Sequence, residues 1–171
     1  DLELVGLDNF IREGSRGNRP ALESLGVRII EGDVRDPAAL ERAGKVDWVL
    51  DCAAEPSVLA GVGGGTSSFD VLDHNLVGTI RMLEFCKQHG AGFLLMSTSR
   101  VYSIGPLVSL DVTRVDGAYR PTRYDPAIGL TEEGIGERYP SDPPLSLYGV
   151  SKRCSELLAL EYADAFGFPV Y

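Results

Sequence analysis

The sequence predicts a doubly wound α/β fold, in which helices pack on both faces of a parallel β-sheet. Short apolar runs alternate along the chain with amphipathic stretches. The runs are nearly continuous in apolar residues, which is typical of strands that are buried on both faces of a parallel sheet. Two of the amphipathic stretches open with proline, which suits the first turn of a helix.

Each element follows from this alternation. Strands are predicted at residues 2–8, 27–33, 46–54, 92–98 and 168–171. Helices are predicted at residues 20–25, 37–44, about 69–89 and about 147–166. A chain of 171 residues can bury one substantial core, so we expect these elements to form a single domain.

The predicted helix from about Val71 to Gln88 is apolar on two faces. One face should meet the sheet, and the other requires a second cover, either a partner subunit or a part of the chain that lies outside these residues. The two sets of side chains are Leu72, Leu76, Ile80 and Leu83 on one face and Val71, Met82 and Phe85 on the other, with Val77 to one side.

The charge of the chain excludes some classes of partner. Its net charge is -9, from 25 acidic and 16 basic residues, and no basic stripe offsets it. This argues against binding to nucleic acid or to an anionic membrane. No apolar run approaches the roughly 18 residues that a membrane-spanning helix needs, and no signal peptide is visible, so we expect a cytoplasmic protein. A phosphate group can still bind an acidic protein through backbone N–H groups.

The three cysteines do not indicate a metal or redox site. Cys52, Cys86 and Cys154 are an odd number, lie far apart and form no CxxC motif. We expect buried thiols in a reducing compartment, with Cys52 and Cys86 in apolar surroundings. His74 and His89 have no ligand-like spacing to the cysteines, so no metal site is predicted.

Tyr148 and Lys152 are the first candidates for chemistry. They are four residues apart on a predicted helix, so their side chains lie on one face. A neighbouring ammonium group favours the phenolate form of a tyrosine, which makes a usable acid and base near neutral pH. The spacing alone also fits a tyrosine at a helix start and a solvated lysine. The segment STSRVYS (97–103), which ends a predicted strand, favours the chemical interpretation, because open α/β sheets bind ligands at the carboxyl ends of strands.

A second candidate group follows the first two predicted strands. In dinucleotide-binding units, an acidic residue about 20 positions after the first glycine of GxGxxG accepts hydrogen bonds from a ribose. Asp8 fits that role, although it also fits a turn before Asn9. The glycine motif would then precede residue 1, and the chain starts with Asp inside a predicted strand. We therefore expect a piece of a longer protein that is inactive on its own. Asp33 is similarly placed to reach an adenine edge.

Two segments are predicted to be loops. Residues 61–68 (GVGGGTSS) resemble a phosphate loop poorly, because no strand leads into them and no Lys-Ser or Lys-Thr follows, so we interpret them as a flexible loop. Residues 103–147 hold six prolines and five glycines with little periodicity. This long segment lies between the two stretches that carry the candidate chemistry, so we expect a substrate-facing loop rather than a disordered linker.

The order of these motifs resembles a known family. The strings LDNF, GDVRD, DCAAEPSV, HNLVGT, STSRVYS and YGVSK resemble the extended short-chain dehydrogenases/reductases, specifically the NAD-dependent epimerase/dehydratase family. EPSVLAG and STSRVYS resemble the CDP-paratose (CDP-tyvelose) 2-epimerase subgroup in particular. The resemblance implies a Rossmann-type fold, NAD as cofactor, a nucleotide-sugar substrate and a homodimer when full length. The N-terminal strand, glycine loop and helix, and the C-terminal substrate region, would lie outside these residues, leaving a partial dinucleotide-binding domain.

The resemblance also implies roles for single residues. Tyr148 would be the catalytic acid and base, Lys152 would hold the nicotinamide ribose, and Thr98 would position the substrate. The remaining cofactor contacts would come from Asp8 and Asn9 at the adenosine ribose, Asp33 and Val34 at the adenine, and Ala53, Ala54 and Glu55 beside the pyrophosphate and nicotinamide. Asn75 matches the family's helix asparagine and is expected to be structural.

Three functions remain open from the sequence. The first is an epimerase that transiently oxidises a sugar carbon, with C2 of a CDP-3,6-dideoxyhexose implied by the resemblance. The second is a sugar-nucleotide 4,6-dehydratase, but that family's Asp-Glu pair is replaced here by Ser99 and Arg100, neither of which is an acid or base at pH 7. The third is a non-catalytic NAD-binding regulatory protein, which the presence of both Tyr148 and Lys152 disfavours.

Overall fold

The computed structural model describes residues 2–63 and 65–171, and the strands of its central sheet form two parallel pairs. In the first pair Val5 lies opposite Arg28, and in the second Trp48 lies opposite Gly92. Val170 adds a parallel bridge to Phe93 at the far edge. The elements concerned are β1 (Val5–Asp8), α1 (Arg19–Ser24), β2 (Arg28–Glu31), α2 (Pro37–Glu41) and β3 (Trp48–Asp51), followed by α3 (Ser68–Leu72), α4 (Gly78–His89) and β4 (Gly92–Leu95). The predicted α/β fold with parallel strands is confirmed.

The predicted helix of residues 69–89 is present, but it is interrupted. It starts with a capping box between Ser67 and Asp70, and it ends where Gly90 adopts a positive φ of 68°. Between α3 and α4 the chain forms a π-helical turn, Asp73–Val77. A π turn holds one residue more than an α turn, so it rotates the side chains before it relative to those after it.

This rotation makes the predicted division of the helix into two apolar faces wrong. Val71, Met82 and Phe85 are buried within the chain itself, and so is Leu83 from the opposite predicted face. The neighbouring Leu72, Leu76 and Ile80 are only partly buried. The second cover that the sequence requires is therefore provided in large part by this chain.

The last helix, α6, runs over Leu147–Phe166 as predicted. The Oγ of Ser146 caps it by accepting from the N–H of Gly149 at 2.9 Å, and the helix ends at Gly167 with φ 73°. Phe93 of β4 is fully buried and lies with Leu83, Cys86 and residues of α6 in one core. Leu7 of β1, Val34 and Leu40 pack on the same core, so it holds both strand pairs together.

The prediction that the strands are buried on both faces is wrong for β3. Val49 packs on the core, whereas the side chains of Trp48 and Leu50 are 49% and 58% exposed. Alternate residues of a strand point to opposite faces, and the core-forming helices α4 and α6 lie on only one of them. Continuous apolar character therefore overestimates the burial of these strands in the described part of the chain.

The segment 103–147 contains short elements that its composition does not reveal. Asp116 and Gly117 form the turn of an antiparallel hairpin, with positive φ values of 50° and 82°. An Asp-Gly pair between alternating side chains is a strong hairpin signal that the sequence analysis missed. The elements are α5 (Ile104–Val108), β5 (Val112–Val115), β6 (Ala118–Pro121), β7 (Leu130–Thr131) and β8 (Gly134–Ile135).

Other expectations meet mixed outcomes. Cys86 is buried as expected, and burial raises the pKa of its thiol to about 12, but Cys52, which follows the end of β3, is exposed.

Of the predicted loop 61–68, Gly64 lies outside the described residues, and Ser67 belongs to the cap of α3. Within residues 2–63 and 65–171, no helix combines the length and apolar character needed to cross a bilayer.

We expect Phe93→Ala to lower the free energy of unfolding by about 3–5 kcal/mol, because it removes a fully buried aromatic ring from the shared core. Urea unfolding of the full-length protein, followed by circular dichroism, measures this loss. Phe69→Ala is the matched control, since Phe69 is 72% exposed. Equal losses in the two variants would contradict the assignment of the core.

Candidate active site

Thr98 lies where β4 leads into a short 3-10 turn, Ser99–Val101. Its backbone is extended, and its Oγ1 accepts a hydrogen bond from the N–H of Arg100 at 3.2 Å, so Thr98 caps the turn. Because this contact uses a lone pair, the hydroxyl proton of Thr98 can still be donated to another oxygen. The same residue thus serves the turn and retains the donor expected of a substrate-positioning group.

A close backbone contact joins this turn to the start of α6. Gly149 is buried beside the carbonyl oxygen of Arg100, and a Cβ at this position would overlap that oxygen. Only glycine allows the two backbones to approach so closely. The contact brings the turn that follows Thr98 against the helix turn that carries Tyr148. The glycine of YGVSK therefore has a structural reason that its sequence alone did not show.

Lys152 is the most buried candidate residue, with 2% of its surface exposed. Burial lowers the pKa of its ammonium group, while the charges of Asp51, Cys52 and Glu156 oppose that change. Asp51, at the end of β3, is 1% exposed. Burial raises the pKa of its carboxyl group, and the charge of Lys152 opposes the rise. Two opposite charges thus face one another in the interior, and the sequence analysis missed Asp51.

Asn75 connects the loop after β3 to α6 through hydrogen bonds. Its Oδ1 accepts from the N–H of Glu55 at 2.7 Å, and its Nδ2 donates to the Glu55 carbonyl at 3.2 Å and to the Oγ of Ser151 at 3.0 Å. The side chain is 1% exposed and lies in the π-helical turn. Its structural role fixes the backbone of Glu55, a residue expected at the cofactor. Ala53 and Ala54 precede it in the same partly buried loop.

The second group of candidates lies at the carboxyl ends of β1 and β2. Asp8 is exposed, and its Oδ1 accepts from the N–H of Phe10 at 2.6 Å. Asn9 donates through Nδ2 to the Oδ2 of Asp33 at 3.0 Å. Asp8, Asn9 and Asp33 are therefore neighbours, as expected from the parallel pairing of their strands. The side chain of Val34 packs toward the core beside Gly78, so its expected adenine contact stays a prediction.

An ion-pair network connects this group to the helix. Arg35 donates to Asp33 at 2.7 Å and to Asp73 of the π-helical turn at 2.5 Å. The bonds from Arg35 hold the pKa of the Asp33 carboxyl well below its ordinary value, and the same carboxylate raises the pKa of Arg35. Sequence reasoning did not find Arg35 or Asp73. Their contact ties the two halves of the candidate site together.

A cavity of about 810 Å³ opens beside the start of α6. Its walls come from the loop after β3, the 3-10 turn, α5 and the segment before α6. Ser99 and Arg100 line it, and so do Ser146 and Leu147 directly before Tyr148. Most other lining side chains are apolar, among them Val58, Leu107, Ile135 and Leu145. In the part of the chain that the structure describes, no cluster of His, Cys, Asp and Glu is arranged to hold a metal ion.

The fold, with candidate residues gathered at the carboxyl ends of the strands and at the start of α6, is that of a dinucleotide-binding α/β protein. The family model described as the NAD dependent epimerase/dehydratase family matches residues 1–171. The chain belongs to this family.

Relatives in the family differ in their reactions. The chain is 25% identical to UDP-glucuronate 4-epimerase 4 of Arabidopsis thaliana and 30% identical to UDP-glucuronic acid decarboxylase 1 of the same plant. These matches cover 96% and 98% of the chain but 33% and 32% of the relatives. The chain thus spans about a third of the length of these curated relatives.

A solved structure extends the likeness to a third reaction. The dTDP-glucose 4,6-dehydratase of Streptomyces venezuelae, a double mutant with NAD bound, is 26% identical and superposes with a TM-score of 0.70. The match covers 98% of this chain and 44% of the dehydratase. An epimerase, a decarboxylase and a dehydratase therefore share this fold, and the choice among reactions depends on the site.

We expect Gly149→Ala to lower the free energy of unfolding by about 1–3 kcal/mol and to reduce kcat, because the methyl group would push α6 away from the 3-10 turn. Thermal unfolding and turnover of the full-length protein measure the two effects. Gly105→Ala is the matched control, because a Cβ at Gly105 in α5 meets open space. A Gly149→Ala variant with unchanged stability and turnover would show that the close contact is unimportant.

Proposed function

We propose that this chain supplies the cofactor and acid–base part of an NAD-dependent sugar-nucleotide epimerase that acts on C2 of a CDP-3,6-dideoxyhexose. The observation that carries the proposal is the contact between Gly149 and Arg100, which holds the turn after Thr98 against the helix of Tyr148 and Lys152. A hydroxyl donor and a phenol near a buried ammonium are the groups that oxidation of a sugar hydroxyl needs.

The residues of this chain divide the work as follows. Tyr148 removes the proton from the sugar hydroxyl, and Thr98 donates a hydrogen bond to the same oxygen. Bound NAD supplies a hydride acceptor for the sugar carbon. When the carbon is reduced again on its opposite face, Tyr148 would return the proton to the same oxygen. Lys152 holds the nicotinamide ribose and provides the positive charge beside Tyr148.

The proposed cofactor fits the residues at the strand ends. Asp8 presents an exposed carboxylate after β1, where a ribose hydroxyl can donate to it. Asn9 and Asp33 are bonded to one another next to it and would support the adenosine. Ala53, Ala54 and Glu55 would follow the pyrophosphate and nicotinamide, on a backbone that Asn75 fixes.

The cavity supports the proposed sugar. Segment 103–147 provides one of its walls, which favours the interpretation of this segment as substrate-facing. Val58, Leu107 and Ile135 offer apolar surface, and a sugar that lacks two hydroxyl groups leaves fewer polar groups unpaired against such a wall than a fully hydroxylated one. We also propose that the full-length protein is a homodimer, since Leu157 and Leu160 of α6 are 50% and 61% exposed.

A 4,6-dehydratase is the second candidate, and its support is the likeness to the Streptomyces enzyme. The side chains at the candidate site argue against a dehydratase. Elimination of water requires an acid and a base beside the sugar, and the corresponding positions, Ser99 and Arg100, line the cavity with a hydroxyl and a guanidinium. Neither group exchanges protons near pH 7.

We expect the full-length protein to bind NAD at least about tenfold more tightly than NADP, which is ~1.4 kcal/mol. Asp8 would repel the 2′-phosphate of NADP. Arg16, the nearby cation that could reverse this preference, is engaged by Glu31 at 2.6 Å and lies over the ring of Phe10. Calorimetric titration with both dinucleotides measures the ratio. Tighter binding of NADP would refute the role of Asp8, and Asp8→Asn should narrow the difference.

We expect the full-length enzyme to invert its substrate in D₂O without incorporating deuterium at the inverted carbon, because the hydride that leaves this carbon returns to it. Mass spectrometry and proton NMR of the product measure the incorporation. A 4,6-dehydratase would instead release water and carry solvent deuterium on the neighbouring methyl group. Deuterium at the inverted carbon would exclude the proposed mechanism.

In the same assay, Tyr148→Phe should reduce kcat by roughly 10²–10⁴-fold and leave NAD binding nearly unchanged, as expected for loss of a positioned acid and base. Tyr119→Phe provides a matched control, since Tyr119 lies 76% exposed on the β5–β6 hairpin. Full activity of Tyr148→Phe would refute the role of Tyr148 as the acid and base.

A further inference from the structure

A buried carboxylate at the end of β3 has no role in the proposed mechanism. Asp51 is 1% exposed, and both of its oxygens are bonded. Its Oδ1 accepts from the N–H of Ala53 at 3.0 Å, and its Oδ2 accepts from the hydroxyl of Thr79 at 2.8 Å. Burying a carboxylate is costly unless an opposite charge or hydrogen bonds compensate it. Two neutral donors compensate only in part, so a nearby cation is required.

Lys152 is the candidate for that cation, because it lies on α6 three residues before Ser155. It is 2% exposed, and the negative groups that face it are Asp51 and Cys52 from the strand side and Glu156 one turn later on α6. Of these three, Asp51 exerts the largest charge effect on Lys152. Cys52 is exposed, and Glu156 already bonds Ser97 and Arg153.

The position of the carboxylate is fixed from both helices. The Oγ of Ser155 on α6 donates to Thr79 on α4 at 3.3 Å, and Thr79 in turn bonds Asp51. Thr79 and Ser155 are both buried, with 1% and 0% exposed. Strand β3, α4 and α6 therefore meet at one point, and the charge of Asp51 is held at a constant place relative to Lys152.

We propose that Asp51 is a positioning residue, whose buried carboxylate, held against α6 through Thr79 and Ser155, keeps Lys152 in its charged form. The inference deepens the proposed function, because it rests on the role of Lys152 at the nicotinamide ribose and beside Tyr148. Asp51 touches neither substrate nor cofactor in this scheme and acts through Lys152 alone.

The charges decide in which direction the pKa of Lys152 moves when Asp51 is removed. Burial lowers the pKa of Lys152, and the negative charge of Asp51 opposes this fall. Burial raises the pKa of Asp51, and the charge of Lys152 and the hydrogen bonds from Thr79 and Ala53 oppose that rise. Removing its charge therefore lowers the pKa of Lys152 further, so the active, charged form is lost at a lower pH. Above that point kcat should fall about tenfold per pH unit, as for a single ionisation.

The test is an NMR titration of ¹³C-lysine-labelled full-length protein, in which the Lys152 signal is identified by its absence from Lys152→Arg. We expect Asp51→Asn to move the Lys152 midpoint, and the alkaline limb of the pH–rate profile, to lower pH. Asp47→Asn is the matched control, because Asp47 is exposed just before the same strand and should leave both unchanged. An unmoved Lys152 midpoint in Asp51→Asn would overturn the proposal.

Thr79→Val distinguishes the effect of the Asp51 charge on Lys152 from the effect of Asp51 on stability. This variant breaks the hydrogen bond to Asp51 but keeps the carboxylate, so the protein should lose stability while the Lys152 midpoint stays near that of the parent protein. If Thr79→Val shifts the midpoint as far as Asp51→Asn does, Asp51 has a merely structural role and the proposal fails.

A reciprocal measurement remains decisive if Asp51→Asn does not fold. In ¹³C-aspartate-labelled Lys152→Met, one buried carboxyl signal should titrate at higher pH than in the parent protein, because coupling between two sites is mutual. No such shift would contradict the proposal. The proposed function fails separately, through an active Tyr148→Phe variant, whatever the two titrations give.

Discussion

The buried polar contact between the helix of α3 and α4 and the helix α6 is the constraint on which the site depends. Asn75 bonds Ser151, and Thr79 bonds Ser155, with all four side chains at most 1% exposed. Removing one partner from such a buried bond costs about 1–3 kcal/mol, because the other group is left unsatisfied. The bonds therefore define one relative placement of the two helices rather than simply adding stability.

From this contact the catalytic loops take their positions. Asn75 reaches the backbone of Glu55 after β3, and Thr79 reaches Asp51 at the end of the same strand. Arg35, bonded to Asp73, attaches the loop after β2 to the same helix. The ends of two strands, β2 and β3, are thereby fixed from one helix. The adenosine side and the acid–base side of the proposed site cannot move independently of one another.

The sequence predicted what depends on local pattern and missed what depends on long-range contact. Apolar runs and amphipathic stretches predicted α6 and the order of strands and helices, because they reflect the burial of each segment. Tyr148 and Lys152 were found by their spacing on one helix. Asp51, Arg35 and Asp73 were not found, because Asp51 bonds Thr79 and Arg35 bonds Asp73 across at least 28 residues of sequence. The bond of Arg35 to Asp33 spans only two residues, but it lies in a turn that composition does not reveal.

The errors have a common physical origin. A period of 3.6 residues assumes an unbroken α-helix, and the π-helical turn at Asp73–Val77 breaks it between Val71 and Leu83, both of which are buried. Strand burial was overestimated because an apolar run does not tell how many faces are covered, as Leu50 demonstrates. Neither feature is visible in a single sequence.

The π-helical turn also limits how the length of this chain can vary. Its extra residue sets the rotation that directs Asn75 toward Ser151 while the side chains of α4 keep their contacts with the core. Deleting one residue within Asp73–Val77 would restore an ordinary α-helix and turn Asn75 away from α6 by about 100°. Substitutions within the turn leave its residue count unchanged, whereas an insertion or a deletion alters that count and with it the rotation. Evolution can therefore alter the chemistry of this segment much more freely than its residue count.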